Sequence, residues 1–293
     1  MTSDSNAAST SFAKFGAVCR MVKIEHSIFA LPFAYLGQFI AAGGMPPLRP
    51  FLLLAVAMVA VRSVAMAFNR VIDLPFDAKN PRTQQRPLVT GEITPVQTWV
   101  FIAIMSAIFV AACFFINELS FMLSPVALFV AAFYSVLKRF TWLCHFWLGA
   151  VLALSPLAGW ISVDPQFTVA AVLYAWGILF WVAGFDIIYS CQDVEYDRST
   201  GLNSVPARFG IESALLMSSF CHVVTSIMFL MGGWASGLGW PYYGVWAVVS
   251  VILFWEHTII SADDMSKVNM AFFTMNGFIS VLLFLGALAG IYL

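Results

Sequence analysis

The sequence predicts an all-α protein that spans a membrane about nine times. Of its 293 residues, 61% are hydrophobic and 10% are charged, and the mean hydropathy is +0.89. Soluble domains are much less apolar and carry more charge. The apolar residues form runs of roughly 20, the length needed to cross a bilayer. Because an unpaired backbone cannot face lipid, each run is expected to be helical.

Mostly short turns containing proline or glycine separate the predicted spans. The nine spans are 24–42, 51–68, 97–116, 119–137, 142–161, 168–186, 212–232, 240–260 and 270–291. Two connections, at about 69–96 and 187–211, are longer, and we expect them to cap a site. Residues 1–13 are small and polar and are predicted to be a disordered tail. The remainder, 14–293, is predicted to be a single polytopic domain.

The distribution of lysine and arginine predicts the orientation in the membrane. If the N-terminus is cytoplasmic, all 14 of these residues except Arg49 and Arg62 lie on the cytoplasmic side. The positive-inside rule therefore predicts an inner N-terminus and an outer C-terminus. We expect a multi-pass protein of the inner (cytoplasmic) cell membrane, in contact with lipid. The net charge of −1 argues against a nucleic-acid partner, which would call for a basic surface.

Two polar stripes interrupt this apolar pattern. In each, three residues recur every four positions, which places them on one face of a helix. The stripes are Asn69, Asp73 and Asp77, and Tyr189, Asp193 and Asp197. An offset of 120 residues relates the two stripes and also superposes several spans. We infer two parallel four-helix halves plus a ninth helix. Evenly spaced helices superpose at many offsets, so this repeat depends mainly on the stripes.

The stripes indicate a magnesium site. Carboxylate and amide oxygens suit Mg²⁺, which binds one or two carboxylates together with water and substrate phosphate. The candidate ligands are Asn69, Asp73, Asp77, Asp193 and Asp197. A solvated acidic loop face is the alternative. Basic residues on the same side provide what a polyphosphate needs, although membrane anchoring could explain any single one of them. These residues are Arg82, Arg86, Lys138, Arg139, Arg198 and Arg208.

Several segments resemble the UbiA superfamily of intramembrane aromatic prenyltransferases. The most specific are NRVIDLPFDAKNPRTQQRP, which starts at Asn69, and the Tyr189-x-x-x-Asp193-x-x-x-Asp197 motif. The other segments are KIEHSIFALPFA near the start, YSVLKRFTW at 134–142, FDIIYSCQDVEYDRSTGLNSVPARFG at 185–210 and DDMSKVNMAFFTMNGF at 263–278. Together they extend over nearly the whole chain. They are most similar to the 4-hydroxybenzoate polyprenyltransferase branch, or to relatives that prenylate a dihydroxynaphthoate.

The resemblance implies a Mg²⁺-dependent enzyme that binds a polyprenyl diphosphate through both stripes. It also implies that Arg82, Arg86 and Lys138 contact the diphosphate. The resemblance gives weaker support for the same role at Arg139 and Arg208. The implied reaction joins the polyprenyl group to a ring carbon of an aromatic acid of the 4-hydroxybenzoate type, in ubiquinone or menaquinone biosynthesis.

Three alternatives stay open. The acceptor could be 1,4-dihydroxy-6-naphthoate, or another ring such as one of the haem or chlorophyll type. A cation or organophosphate transporter is the alternative of a different class. Transport sites generally lie near the midplane, whereas these carboxylates cluster at one face beside an R-T-x-x-R-P sequence, which favours diphosphate binding.

The candidate acid–base residues lie at the membrane-side edge of the second stripe. Asp186 and Tyr189 could each orient the acceptor or help remove the ring proton. His145, His222 and His257 are isolated in the sequence and show no metal-ligand spacing. We therefore expect these histidines to have ordinary packing or helix-end roles.

Arg62 is a cation inside a predicted span. It precedes Asn69 by seven residues, which on a helix places it on the same face and about 10 Å deeper. An unpaired cation at that depth is costly, and an aromatic acid would supply a carboxylate partner. We hypothesise that Arg62 binds the acceptor carboxylate; a salt bridge to Glu25 is the alternative.

Overall fold

The computed structural model describes residues 14, 16–23, 30–270 and 274–293. Within these residues the protein is helical and contains no β-strand, which confirms the predicted all-α class. Residues 16–22 are helical. The helices that follow are α1 Leu31–Ala42, α2 Leu48–Asp77, α3 Pro95–Ile116, α4 Glu118–Leu137, α5 Cys144–Ile161, α6 Val169–Ser190, α7 Val194–Thr200, α8 Val205–Phe209, α9 Ile211–Ala235, α10 Trp240–Ile259 and α11 Asn276–Tyr292. A short turn of helix at Val268–Met270 precedes α11.

Each of the nine predicted spans overlaps one of the longer helices. Among the described residues, six helices are long and apolar enough to cross a membrane: α2, α3, α4, α5, α6 with its extension through α7, and α9. α1 and α11 are apolar but shorter, with 12 and 17 residues. The count of nine crossings stays a prediction, because 24–29 and 271–273, within the first and last predicted spans, lie outside the described residues, as does the predicted tail 1–13.

The two polar stripes lie on helical extensions of the apolar spans. α2 continues nine residues past the predicted span end at 68 and includes the whole first stripe. α6 runs to Ser190, and a 3-10 turn at Cys191–Asp193 joins it to α7, so that the second stripe is also helical. The connections expected at 69–96 and 187–211 are therefore partly helix. Hydropathy marks only the lipid-facing part of a helix, whereas the backbone hydrogen bonds continue beyond it.

Short polar sequences begin several helices. Thr94 accepts a hydrogen bond from the backbone N–H of Gln97, whose side chain accepts one from the backbone N–H of Thr94, which forms a capping box before Pro95 of α3. The side chains of Asn117 and Ser204 cap α4 and α8 by a single hydrogen bond each, accepted from the backbone N–H of Ser120 and of Ala207. Side chains thus satisfy N–H groups at these helix starts that have no partner within the helix.

Small residues let two helices approach closely in the centre of the bundle. A Cβ atom at Gly37 of α1 would lie 2.1 Å from the carbonyl oxygen of Pro156, and one at Gly159 of α5 would lie 1.8 Å from that of Ala34. Only glycine fits at such backbone contacts, which are typical of membrane helices. The main core packs around Trp181 of α6, whose side chain is fully buried.

The fold brings several helix ends together at one end of the bundle. α2, α4 and α6 all finish there, and α5 begins there. α2 packs against α3 and α4, while α6 packs against α5 and α9. We call this end the polar end, because both stripes and the connections 78–94 and 138–143 contribute to it.

Candidate active site

The polar end encloses a cavity of about 220 Å³. Both stripes line it, together with basic side chains from two connections and groups from α4, α5 and α6. The sequence-predicted residues in its lining are Asn69, Asp73, Asp77, Arg82, Arg86, Lys138, Asp186, Tyr189, Asp193 and Asp197. Residues 120 positions apart in the chain thus face the same space.

In the first stripe, each aspartate contacts a different basic residue. Asp73 Oδ1 lies 3.3 Å from Arg139 Nη2, and Asp73 Oδ2 accepts a 2.7 Å hydrogen bond from the Asn69 amide. Asp77 Oδ2 lies 2.5 Å from Arg86 Nη1. Arg86 comes from the connection that follows the first stripe, and Arg139 comes from the connection after α4. Two different connections therefore neutralise the first stripe.

In the second stripe, the basic partners come from elsewhere in the chain. Arg82 donates to Tyr189 Oη at 3.0 Å and to Asp193 Oδ2 at 2.6 Å. Asp197 Oδ1 lies 2.8 Å from Lys138 Nζ, and the Ser204 hydroxyl donates to Asp197 Oδ2 at 2.8 Å. Each of the four stripe carboxylates thus has one cationic partner, which offsets their mutual repulsion.

A direct hydrogen bond joins the helices of the two stripes. The Tyr196 hydroxyl of α7 donates to the backbone carbonyl of Phe76 at 3.0 Å. Arg82 forms the second link, since it follows the first stripe in sequence and binds the second stripe. These contacts keep the two stripes on opposite sides of one cavity.

Lys138 and Arg139 lie side by side in the connection after α4 and serve different stripes. Burial alone would lower the pKa of the Lys138 ammonium, but the Asp197 carboxylate outweighs burial and raises the pKa above its ordinary value of 10.5. Lys138 is therefore cationic at neutral pH. The Arg139 guanidinium donates to the Ile72 carbonyl at 2.7 Å and lies 4.9 Å from the centre of the Phe76 ring.

Asp186 lies deeper along α6 and pairs with a histidine. Asp186 Oδ2 is 2.7 Å from His145 Nδ1, and His145 Nε2 accepts a 3.2 Å hydrogen bond from the backbone N–H of Val205. His145 is 2% exposed, and both side chains line the cavity. The sequence predicted only a packing or helix-end role for His145 and did not predict this contact with Asp186.

Sequence reasoning also underrated Arg139, which lines the cavity and pairs with Asp73. Its position beside Lys138 in YSVLKRFTW was the available signal. No such signal existed for His145. The other two isolated histidines bond to each other, with His257 Nε2 2.9 Å from His222 Nδ1, and neither is among the described residues that line the cavity.

Arg62 lies on α2, seven residues before Asn69 of the first stripe. Its guanidinium donates to the backbone carbonyl of Lys23 at 3.4 Å. As far as the described residues define the cavity, Arg62 is not part of its lining. Glu25, the alternative salt-bridge partner, lies outside the described residues.

The family follows from comparison with known proteins. The model of the UbiA prenyltransferase family matches residues 30–282. The chain therefore belongs to the UbiA prenyltransferase family, and the protein is a prenyltransferase embedded in a membrane through several helices. This confirms the resemblance seen in the motifs.

Individual relatives cover most of the chain. The chain is 25% identical over 282 residues to the 4-hydroxybenzoate octaprenyltransferase of Actinobacillus pleuropneumoniae serotype 3, an alignment that covers 95% of this chain and 96% of that protein. It is 29% identical over 252 residues to the mitochondrial 4-hydroxybenzoate polyprenyltransferase of Arabidopsis thaliana, which covers 85% of this chain and 61% of the plant protein.

Solved structures share the fold. The apo structure of a UbiA homologue from Aeropyrum pernix K1 has a TM-score of 0.81 and 34% identity, over 90% of this chain and 97% of that one. A UbiA homologue from Archaeoglobus fulgidus, bound to DMAPP and Mg²⁺, has a TM-score of 0.72 and 22% identity, over 94% of this chain and 98% of that one.

Proposed function

We propose that the protein transfers a polyprenyl group from its diphosphate to a ring carbon of 4-hydroxybenzoate, in ubiquinone biosynthesis. One observation carries the proposal: a single cavity combines both aspartate stripes with the basic residues Arg82, Arg86 and Lys138. The bacterial and plant relatives, named as 4-hydroxybenzoate prenyltransferases, support 4-hydroxybenzoate as the acceptor.

The side chains of the cavity fit Mg²⁺ bound together with a diphosphate. Among the described residues, no three acidic, histidine or cysteine side chains come close enough to form a metal cage. Mg²⁺ does not need one, because it commonly takes one or two carboxylates and completes its shell with water and substrate phosphate. Ligands would come from Asn69, Asp73, Asp77, Asp193 and Asp197. When bound with the diphosphate, Mg²⁺ neutralises negative charge on the leaving group.

The ion pairs of the cavity suggest how the protein accommodates this charge. Arg82, Arg86 and Lys138 each hold one carboxylate. We propose that they turn from these carboxylates to diphosphate oxygens, with which arginine forms strong bidentate contacts. The freed carboxylates then become available as metal ligands. Before the diphosphate binds, the ion pairs keep these cations close to where the diphosphate would lie. In that state no stripe carboxylate is left without a cationic partner.

The reaction breaks one bond and forms another. The allylic C–O bond breaks and its electron pair leaves with the diphosphate, which leaves positive charge on the allylic carbon. A ring carbon of the acceptor supplies the electron pair for the new C–C bond. The ring then loses a proton to a base, and the electrons of that C–H bond restore aromaticity. Asp186, which lines the cavity, is our candidate base; Tyr189 is the candidate for orienting the acceptor.

The proposal extends to the acceptor pocket, the tunnel for the prenyl tail and the arrangement in the membrane. Arg62 would bind the acceptor carboxylate in a deeper pocket, and the prenyl tail would lie in an apolar tunnel open to lipid. We also propose nine crossings in two four-helix halves plus one, with the N-terminus in the cytoplasm. Residues 14–293 would form one domain of the inner (cytoplasmic) membrane, with a disordered tail at 1–13. The connections within 69–96 and 187–211 would exclude water from the cation.

The decisive test is an assay of the purified protein in lipid nanodiscs. Mg²⁺ and labelled polyprenyl diphosphates of several lengths are supplied with 4-hydroxybenzoate, its methyl ester or 1,4-dihydroxy-6-naphthoate, and products are identified by mass. We expect a prenylated 4-hydroxybenzoate and an equal amount of released diphosphate. No product from any aromatic acid would contradict the proposal, and a product from the naphthoate alone would change the acceptor. Asp193→Asn provides the inactive control.

A further inference from the structure

We propose that His145 is a positioning residue, which holds Asp186 turned so that one of its oxygens is available to the acceptor. This inference depends on the proposed function only in assigning the ring proton to Asp186. The underlying geometry is a chain of two hydrogen bonds, from the Val205 backbone to His145 and from His145 to Asp186.

The backbone of Val205 fixes which ring nitrogen of His145 carries a proton. A backbone N–H can only donate, so His145 Nε2, 3.2 Å from Val205 N, must present a lone pair. The proton of the neutral imidazole is then on Nδ1. That nitrogen is 2.7 Å from Asp186 Oδ2, so it donates to the carboxylate. This hydrogen bond fixes the position of one oxygen of Asp186.

This arrangement leaves the two carboxylate oxygens of Asp186 with different roles. Oδ2 is held by His145, while Oδ1 is left to receive the ring proton in the proposed reaction. A carboxylate otherwise turns easily about its last side-chain bond. His145 restricts that rotation, and at 2% exposure it is itself fixed by the surrounding packing.

The same short segment that fixes His145 also contacts the diphosphate side of the cavity. The Asn203 backbone N–H donates to the Lys138 carbonyl at 2.7 Å, and the Ser204 hydroxyl donates to Asp197 Oδ2 at 2.8 Å. Residues 203–205 therefore contact, one after another, a proposed diphosphate ligand, a proposed metal ligand and His145. Through this segment, the orientation of Asp186 is tied to the second stripe.

Two substitutions separate this role from a merely structural one. The amide nitrogen of His145→Asn lies near the position of Nδ1 and still donates to Asp186. The longer side chain of His145→Gln reaches the position of Nε2, where its amide oxygen accepts from Val205, but it leaves Asp186 without its donor. If His145 serves only to satisfy Val205, glutamine is the better replacement. If it positions Asp186, asparagine is the better one.

The kinetic test compares kcat and KM of these variants in the prenylation assay. We expect His145→Gln to lower kcat by about a hundredfold and His145→Asn to stay within about tenfold of the unsubstituted enzyme. KM for the polyprenyl diphosphate should change little in either. Equal kcat values, or a higher kcat for glutamine, would overturn the proposal. His257→Gln, at a histidine outside the cavity lining, is the matched control and should leave kcat unchanged.

A second measurement needs neither substrate nor activity. In protein labelled with ¹⁵N-histidine, the imidazole signals of His145 are identified by their absence from His145→Asn. We expect a protonated Nδ1 and an unprotonated Nε2. A proton on Nε2, or on both nitrogens, would overturn the inference even in an active enzyme. Conversely, the expected tautomer in a protein that prenylates no aromatic acid would contradict the proposed function while leaving the His145–Asp186 geometry intact.

Discussion

The two aspartate stripes have the same spacing but are held in different ways. The first lies on one continuous helix, α2, and its aspartates Asp73 and Asp77 keep 29% and 10% side-chain exposure. The second crosses a 3-10 turn, and its last member, Asp197, is 1% exposed. Asp193, at 15%, lies between the exposures of Asp73 and Asp77, so the difference in accessibility is largest between Asp73 and Asp197.

The origin of the cations differs as well. Arg86 binds the stripe that precedes it in sequence, whereas Arg82, four residues earlier, binds the opposite stripe. Lys138 and Arg139 are adjacent but bind opposite stripes. Two short connections thus supply the cationic partners of both stripes, and neither stripe is neutralised by its own segment alone. The two stripes therefore form one site because they share the connections that supply their counter-charges.

Removal of metal should have the largest effect. With EDTA we expect transfer to fall to background and Mg²⁺ to restore it. Because every stripe carboxylate already has a cationic partner, Mg²⁺ alone should bind weakly, and geranyl diphosphate should raise its affinity at least about tenfold. Isothermal titration calorimetry of Mg²⁺ with and without the diphosphate measures this. Tight binding of Mg²⁺ alone would show that the ion pairs do not control access to the carboxylates.

Substitution of one aspartate in either stripe should be nearly as severe. Asp73→Asn and Asp193→Asn each remove one carboxylate but keep the size of the side chain. We expect each to lower kcat/KM by on the order of a thousandfold, the scale for losing a key electrostatic contact. Product formation measured by mass spectrometry, with thermal unfolding as a check on folding, tests this. Substantial activity in one variant alone would make the stripes unequal in function.

Loss of Arg82 should have an intermediate effect. Arg82→Ala removes charge-assisted contacts worth about 2 kcal/mol, so we expect KM for the polyprenyl diphosphate to rise about thirtyfold. Steady-state kinetics at saturating acceptor provides the measurement. Arg208→Ala is the matched control, because that guanidinium, a weaker candidate from the sequence, stacks on Phe209 and is not among the described residues that line the cavity. It should change KM by less than about twofold. A similar KM in the two variants would remove Arg82 from diphosphate binding.

Arg62 should affect the choice of acceptor more than the overall rate. If it binds the acceptor carboxylate, Arg62→Ala should lower kcat/KM for 4-hydroxybenzoate by about tenfold or more and leave that for the methyl ester nearly unchanged. A comparison of both acceptors with the same diphosphate measures the loss of discrimination. Unchanged discrimination would exclude this role.

The smallest effect is expected at the hydrogen bond between the stripe helices. Tyr196→Phe removes the hydroxyl that donates to Phe76, which should lower the free energy of unfolding by about 1 kcal/mol. Thermal unfolding in detergent and transfer kinetics should both show modest losses. The exposed Tyr292 provides the control substitution, Tyr292→Phe. A large loss of activity at Tyr196 with unchanged stability would instead indicate a direct role in the reaction.

The sequence predicted the helices and the stripes, because long apolar runs and a period of four are properties of short stretches of chain. It predicted that the stripes converge because the distribution of lysine and arginine places both on the same side of the membrane. Hydropathy did not predict how far α2 and α6 continue, since it ends where lipid contact ends, and only the period of four in the stripes indicated helix there. The partner of Asp186 was also missed. His145 and Asp186 are 41 positions apart, and their contact depends on how α5, α6 and residues 203–205 pack. Arg139 was underrated for the same reason.

The most direct test of the shared site is the binding of geranyl diphosphate in the presence of Mg²⁺. Affinity is measured for the unsubstituted protein, for Asp73→Asn and Asp193→Asn, and for the double variant. If the two stripes act as one site, each single substitution should remove most of the affinity, and the double substitution should cost little more, because interacting residues are not additive. Additive losses, or a single variant that binds as tightly as the unsubstituted protein, would contradict the account.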